Sequence, residues 1–331
     1  MVPYTRKQLP FATRCAFGVL MSGVLRPLMW MLERFKLDSS LMGKMIEGQR
    51  KQIRKNNPFS GYQPTAHDVF VATYVKSGTN WMMQIVHQLA FRGEGEFEHI
   101  HCVVPWPDTK IMGPLRNYAI PVEDSRVWMA SPEGKRAIKT HFNWADFPYS
   151  LDARYIVVVR DPKDVFVSSY YFFLKNGTLS FSNMSAASWL ELFLSDRFPM
   201  GGSWAISTAG YWAQRHKPNV LICSFKEMRR DLESSVRRVA EFMGVDASPE
   251  VVRRVTEQST FEYMKSIDHK FSVWNLVPWS QKIAMMRKGS EGGASELLTT
   301  AQQRRVDDYF TTELKRLGSD FPYAEFCRVT E

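Results

Sequence analysis

Cysteine is scarce in this 331-residue chain. The four, Cys15, Cys102, Cys223 and Cys327, are widely scattered, and none forms a CxxC pair or a metal-ligand cluster. No metal site is therefore expected, and a reducing compartment with free thiols is the default. No group of carboxylates presents itself for Mg²⁺, and there is no internal repeat or low-complexity tract. The net charge of +9 is not gathered into a basic arm. Such a balance attracts anions, from acidic membrane surfaces to multiply charged nucleotides, but its even spread argues against nucleic acid as a partner.

An unbroken apolar run long enough for a bilayer is also missing. Residues 15–25 are apolar and follow Arg6, Lys7 and Arg14, but Arg26-Pro27 interrupts them before Leu28-Met-Trp-Met-Leu32 resumes. Eleven residues are too few to span, and the Arg-Pro break argues against one continuous span. The charge and length of the run would also suit a signal peptide, but no convincing A-x-A cleavage site follows. A helical segment that packs on the body, or contacts a membrane surface through residues 15–35, is the expectation.

What is present is ordinary globular composition, 44% hydrophobic and 23% charged, at a length suited to one large α/β domain or two small ones. Residues 1–60 read as a helical extension closed by the turn cluster at 56–61, and 61–331 as the main domain. From residue 69 the pattern alternates. Strands are expected at 69–73, 136–140, 155–159 and 220–224. Helices are expected at 81–91, 164–174, 187–194, 210–215, 232–243, 249–258 and 300–317. Short apolar β-runs with helices between them predict an α/β fold, a P-loop-like central parallel sheet with helices on both faces. Residues 273–295 read as a mobile loop.

The most informative stretch is Tyr74-Val-Lys76-Ser77-Gly78-Thr79-Asn80-Trp81, between the first strand and the first helix of this alternation. Helix-start N–H groups lack intrahelical partners and the dipole there favours an anion. Gly78 allows close approach, Lys76 adds charge, and Ser77 and Thr79 add hydroxyls. A Walker A loop places Lys after a second Gly. Here Lys comes first and the leading Gly is absent, which disfavours an ordinary NTPase. A strand–turn–helix with an incidental Lys is the plain alternative.

Two more strand ends carry candidates. Strand 155–159 runs into Arg160-Asp-Pro, and Arg offers a planar fork of donors that matches a phosphate. Ser168 would lie two turns into the following helix, within reach of the same anion. Strand 136–140 ends in Lys139-Thr-His141, and an imidazole suits proton removal from an alcohol. A lone His is more often structural, and an Arg at a strand edge can simply pair with Asp161 or Asp164.

Taken together, these segments resemble the sulfotransferases that use 3′-phosphoadenosine 5′-phosphosulfate (PAPS). Tyr74–Trp81 is similar to that family's TYPKSGTxW loop, with Val75 for Pro. The resemblance implies that Arg160 and Ser168 hold the 3′-phosphate, that His141 is the general base, and that Lys76 and Lys139 stabilise charge on the oxygens around sulfur. It implies that Ser168 holds Lys76 away until an acceptor arrives. Arg287-Lys288-Gly289 resembles the start of an RKGxxGDW motif, although Gly292-Gly293-Ala294 lacks its Asp and Trp. Phe225, Ser259, Phe261 and Trp81 match the segments lining the adenine site, and Gly202-Ser-Trp204 with Trp212 matches an internal GSW…W pattern. Ser295 and Arg304 replace the Lys and Glu of a dimerisation motif, so that route to a dimer is not expected and the oligomeric state is left open.

The implied activity is sulfuryl transfer from PAPS, with 3′-phosphoadenosine 5′-phosphate (PAP) as product and no metal. The acceptor would be a small alcohol, phenol or amine in a pocket lined by Trp106, Phe142, Trp144, Tyr170 and Phe172, side chains that could equally fill the core. A cytoplasmic enzyme is expected. A membrane-associated lipid or glycolipid sulfotransferase is the alternative, and a nucleotide kinase or silent nucleotide-binding protein stands further off.

Overall fold

The structure, a computed structural model, describes residues 4, 10–35, 37–55, 57–111, 118–175, 184–272, 284–289 and 292–331. Four strands form one all-parallel sheet: β1 (Asp68–Thr73), β2 (Arg136–Thr140), β3 (Arg154–Val159) and β4 (Val220–Ser224), in the order β2-β1-β3-β4. Two of the expected strands match to the residue and two begin one residue earlier. Thr73 pairs with Val158 and Val159 with Ser224, so the strands end together along one edge.

The strands are buried on both sides, which is why they read as continuous β-branched runs. Phe70, Ala72, Tyr155, Val157 and Val159 face one core. Val69, Val71, Ile156, Val158 and Cys223 face the other. The first face is covered by helices α4 (Pro162–Tyr170), α5 (Ala186–Phe193), α6 (Trp204–Trp212) and α9 (Thr300–Arg316). The second is covered by α3 (Thr79–Ala90), α7 (Leu232–Met243) and α8 (Pro249–Glu257). Each element is buried where the sequence alternates: in α7, Val236, Val239, Ala240 and Met243 form the inner stripe opposite Arg237 and Glu241. Asp231 caps that helix by accepting from Ser234 N–H, and Gly244 closes it in the left-handed region.

The N-terminal segment departs from expectation. Residues Phe11–Arg34 form one continuous helix of 24 residues, α1, with a hydropathy of 1.5 and 11% of its apolar window buried. By length and composition it could cross a membrane. Arg26-Pro27 does not break it because the turn Met21–Leu25 is π-helical, and Arg26 N–H bonds Met21 C=O. That shifted ladder accommodates a residue without an N–H. Met29 packs into the first core, with Met21, Leu25 and Leu32 against it. The other face is open: ten of the fifteen exposed large hydrophobic side chains among the described residues lie between Phe11 and Met45. A second helix, α2 (Asp38–Lys55), buries Met42 and Ile46 in the same core and lies against α5. Most of the expected mobile loop at 273–295 falls outside the described residues.

Candidate active site

All four strands hand their chain to the site at the same edge, the usual ligand position of a parallel α/β sheet. After β1 the backbone turns sharply. Lys76 has φ 65° and Gly78 φ 95°, a left-handed pair that a β-branched residue would strain. A Cβ on Gly78 would come within 2.9 Å of the Phe225 ring, so the glycine is needed for space as well as for conformation. The first intrahelical bond of α3 runs from Met82 N–H to Gly78 C=O at 3.0 Å, which leaves the preceding N–H groups pointing out of the helix start. Thr79 Oγ1 is held by Thr73 Oγ1 at 2.6 Å, and Asn80 is half-buried in the same turn.

Three cations converge on this turn. The Arg160 guanidinium donates to Lys76 C=O at 3.1 Å and lies over the Phe225 ring at 4.3 Å. Trp204 Nε1–H holds the Arg160 carbonyl at 3.2 Å. Lys76 Nζ sits 4.0 Å from the centre of the Phe172 ring, and Lys139 Nζ 3.4 Å from that of Trp106. An aromatic face can hold an ammonium without neutralising it. Burial, helped by Arg160, lowers the Lys76 pKa to about 7, and burial lowers Lys139 to about 7. Burial thus pushes both ammonium groups toward the neutral form, and a neighbouring anion would favour the charged one.

His141 follows Lys139 at the end of β2. Its Nδ1 lies 2.9 Å from the Thr73 carbonyl oxygen, and its ring meets Trp106 edge-on at 5.8 Å. A carbonyl can only accept, so Nδ1 carries the proton and Nε2 is the basic nitrogen. Burial, then Lys139, hold the imidazole down at about 3, so it is neutral. Asp108 fixes the backbone beneath it, accepting from His141 N–H at 2.7 Å and Thr140 Oγ1 at 2.9 Å. Burial raises that carboxyl to about 6. Asp108 escaped the sequence reading because a single Asp after Trp-Pro carries no spacing signal.

The adenine-side candidates also meet. Trp81 and Phe225 contact edge to face at 5.4 Å, and Trp81 Nε1–H donates to Ser259 C=O at 2.7 Å. Ser77, Ser224 and Ser259 each have a buried hydroxyl oxygen with no hydrogen-bond partner among the described residues. Unpaired buried hydroxyls are uncommon and costly, so their grouping about the β1–α3 and β4 ends fits a polar ligand there. Ser168 lies on α4 one turn from both Asp164 and Tyr171. Asp164 accepts from Gly292 N–H at 3.0 Å, and Tyr171 carries Arg287 over its ring at 4.3 Å. The stripe that carries Ser168 is thus met by Gly292 at Asp164 and by Arg287 at Tyr171. Gly289, at φ 61°, packs against Phe261 so closely that a side chain would clash, and its carbonyl accepts from Arg229. Asp268 holds the segment's start, accepting from Met285 and Met286 N–H at 2.9 and 2.7 Å.

The expected acceptor lining divides. Trp106 and Phe172 stand beside the lysines. Phe142 packs edge-on against Phe59, and its carbonyl accepts from Tyr211. Trp144 joins an aromatic cluster with Phe147, Tyr149 and Tyr155. Tyr170 is buried, its hydroxyl 3.5 Å from Met184 C=O. Phe142 and Tyr170 are buried in the first core, and Trp144 packs half-buried against it. Among the described residues no group of His, Cys, Asp and Glu could hold a metal.

The geometry defines an anion cradle with a buried neutral imidazole beside it. The sulfotransferase domain profile matches residues 66–318, and the chain belongs to the sulfotransferase family. It is 32% identical over 265 residues to an amine sulfotransferase of Oryctolagus cuniculus, covering 77% of this chain and 82% of that protein. It is 29% identical over 267 residues to sulfotransferase 2A1 of Macaca fascicularis, covering 77% and 87%. In fold it is similar to retinol dehydratase solved with androsterone and inactive cofactor PAP (TM-score 0.66, 21% identity, 82% of this chain and 87% of that one). It is also similar to mouse sulfotransferase SULT7A1 complexed with PAP (TM-score 0.60, 22% identity, 79% and 90%). The class is PAPS-dependent sulfuryl transfer, and the kinase reading is set aside.

Proposed function

We propose that the chain transfers the sulfuryl group of PAPS to a hydroxyl or amine of a small apolar or aromatic acceptor, with His141 as general base. The observation that carries this reading is the His141–Thr73 hydrogen bond, which leaves Nε2 unprotonated beside two lysines. When bound, the donor supplies an electrophilic sulfur on a phosphate leaving group. The N–H groups from Gly78 to Trp81, with Lys76, Ser77 and Thr79, would hold its 5′ end. Arg160, Ser168 and the 287–289 segment would hold the 3′-phosphate, and Trp81, Phe225, Ser259 and Phe261 the base. Lys76 and Lys139 would gain full charge against the oxygens that become negative. Trp106 and Phe172 line the approach, which suits an apolar acceptor. The name of the rabbit relative keeps amines within the acceptor set. The test is a screen of phenols, aliphatic alcohols and amines with ³⁵S-labelled PAPS. Label moving to at least one acceptor, and not with His141→Ala, supports the reading; no transfer to any class counts against it.

A second reading, favoured by the exposed apolar face of α1, is that the enzyme sits on a membrane and takes a lipid-borne acceptor. Val19, Leu20, Val24, Leu28, Trp30 and Met31 are exposed on this helix, and Arg26 and Arg34 are exposed among them. One stripe of α1 packs on the domain, so the helix would lie in the interface. A soluble cytoplasmic enzyme would instead show no vesicle affinity.

A further inference from the structure

Arg287 and Lys288, expected to grip a phosphate, already hold an anion. Arg287 Nη1 lies 2.8 Å from Glu296 Oε2, and Lys288 Nζ lies 2.9 Å from Glu296 Oε1. One carboxylate thus spreads its two oxygens over both cations, as a phosphate would. These two bases, Arg287 first, hold the Glu296 carboxyl below its ordinary range. Glu296 is placed by a short turn, Gly293–Glu296, whose preceding residue Gly292 is left-handed at φ 77°. Gly292 N–H is fastened to Asp164 on α4, and the other end of the segment is fastened by Asp268. Among the described residues the Glu296 side chain meets only the two cations, and it is 23% exposed. The backbone is pinned while the carboxylate that caps it can swing away.

We propose that Glu296 is an internal counter-anion for Arg287 and Lys288, displaced when a nucleotide 3′-phosphate binds. It acts through those two bases as a positioning residue: it keeps the basic segment folded against α4 when no nucleotide is there, and competes with the phosphate when one is. The consequence is a weaker hold on nucleotide and faster product departure than two unopposed cations would give. The inference rests on reading 287–289 as the 3′-phosphate grip.

The experiment is calorimetric titration of adenosine 3′,5′-bisphosphate and adenosine 5′-monophosphate into wild-type protein and Glu296→Gln. The bisphosphate should bind Glu296→Gln about two- to fivefold tighter, the scale of partly exposed ion pairs, and the monophosphate should be unchanged. In an Arg287→Ala/Lys288→Ala background, Glu296→Gln should have no effect, since a counter-anion without cations has nothing to oppose. Glu296→Asp, which keeps the charge, should bind closer to wild type than Glu296→Gln does. Unchanged or weaker bisphosphate binding, an equal change for both nucleotides, or an effect that persists without the two cations overturns the proposal. If wild-type protein does not favour bisphosphate over monophosphate, the phosphate grip itself is misread. If it does and Glu296→Gln matches it, only the counter-anion role falls.

Discussion

His141 Nδ1 and the Thr73 carbonyl oxygen are 2.9 Å apart, and they join the ends of two neighbouring strands, β2 and β1. The bond fixes both the tautomer and the tilt of the ring, so the basic nitrogen is set by the sheet itself. Replacing His141 by Gln keeps a polar side chain of similar reach without a titrating nitrogen. Transfer is expected to fall by about 10²–10⁴-fold, the range for a lost general base, with nucleotide affinity within a few-fold of wild type. Single-turnover rates beside equilibrium titration check this. Collapse of nucleotide binding would mean that the ring is structural.

Lys76 and Lys139 predict a proton balance. Both are held near 7 by burial, and an anionic nucleotide favours their charged forms. At pH 8 binding should therefore take up protons, approaching two per nucleotide at most, and at pH 6 hardly any from these groups. Calorimetry in buffers of different ionisation enthalpy reads the uptake directly; release at pH 8 would contradict it. The same shift governs stability without ligand. Between about pH 7 and the ordinary lysine value the unfolded chain binds more protons than the folded one, so raising the pH through that window should stabilise the free protein.

Asp108 predicts a positioning effect. Its carboxylate accepts from both Thr140 and His141 N–H in a buried setting. Asp108→Ala would orphan both donors, at about 1–3 kcal/mol each, and release the strand end that carries His141. Asp108→Asn keeps the shape and one acceptor. Turnover should fall further in Asp108→Ala than in Asp108→Asn, and thermal unfolding should follow the same order. Equal loss in both variants would point to a role for the carboxylate charge.

The sheet was legible because a parallel strand buried on both faces must be written in apolar, β-branched residues, as Val69-Phe-Val-Ala and Tyr155-Ile-Val-Val-Val are. The candidate site was legible where chain-adjacent residues sit together at a strand end, as in Lys76–Trp81 and Lys139–His141. It was not legible where a carboxylate outside the motif does the work: nothing around Asp268 or Glu296 in sequence indicates that their side chains meet the basic segment. Aromatic side chains were ambiguous for a related reason. Trp144 and Tyr170 are near the site in sequence, but the core takes aromatics of the same kind, and contact alone separates the two uses. The helix through Arg26-Pro27 was missed because a π-turn, which has no composition signature, absorbs the proline.

The exposed face of α1 carries a prediction of its own. Leu20→Glu with Val24→Glu places charge where nothing packs, so folding and transfer to a soluble acceptor should be unchanged. Flotation with vesicles of mixed phosphatidylcholine and phosphatidylserine should be lost in that variant and present in wild type. Equal flotation of the two, or none in either, would remove the membrane reading.

The most direct measurement of the central claim is the affinity of wild-type and Arg160→Ala protein for PAP and for adenosine 5′-phosphosulfate, which lacks the 3′-phosphate. A cradle led by Lys76, with Arg160 on the far phosphate, predicts that Arg160→Ala weakens PAP strongly and adenosine 5′-phosphosulfate hardly at all. An equal loss for both, or no binding of PAP to the wild-type chain, would contradict it.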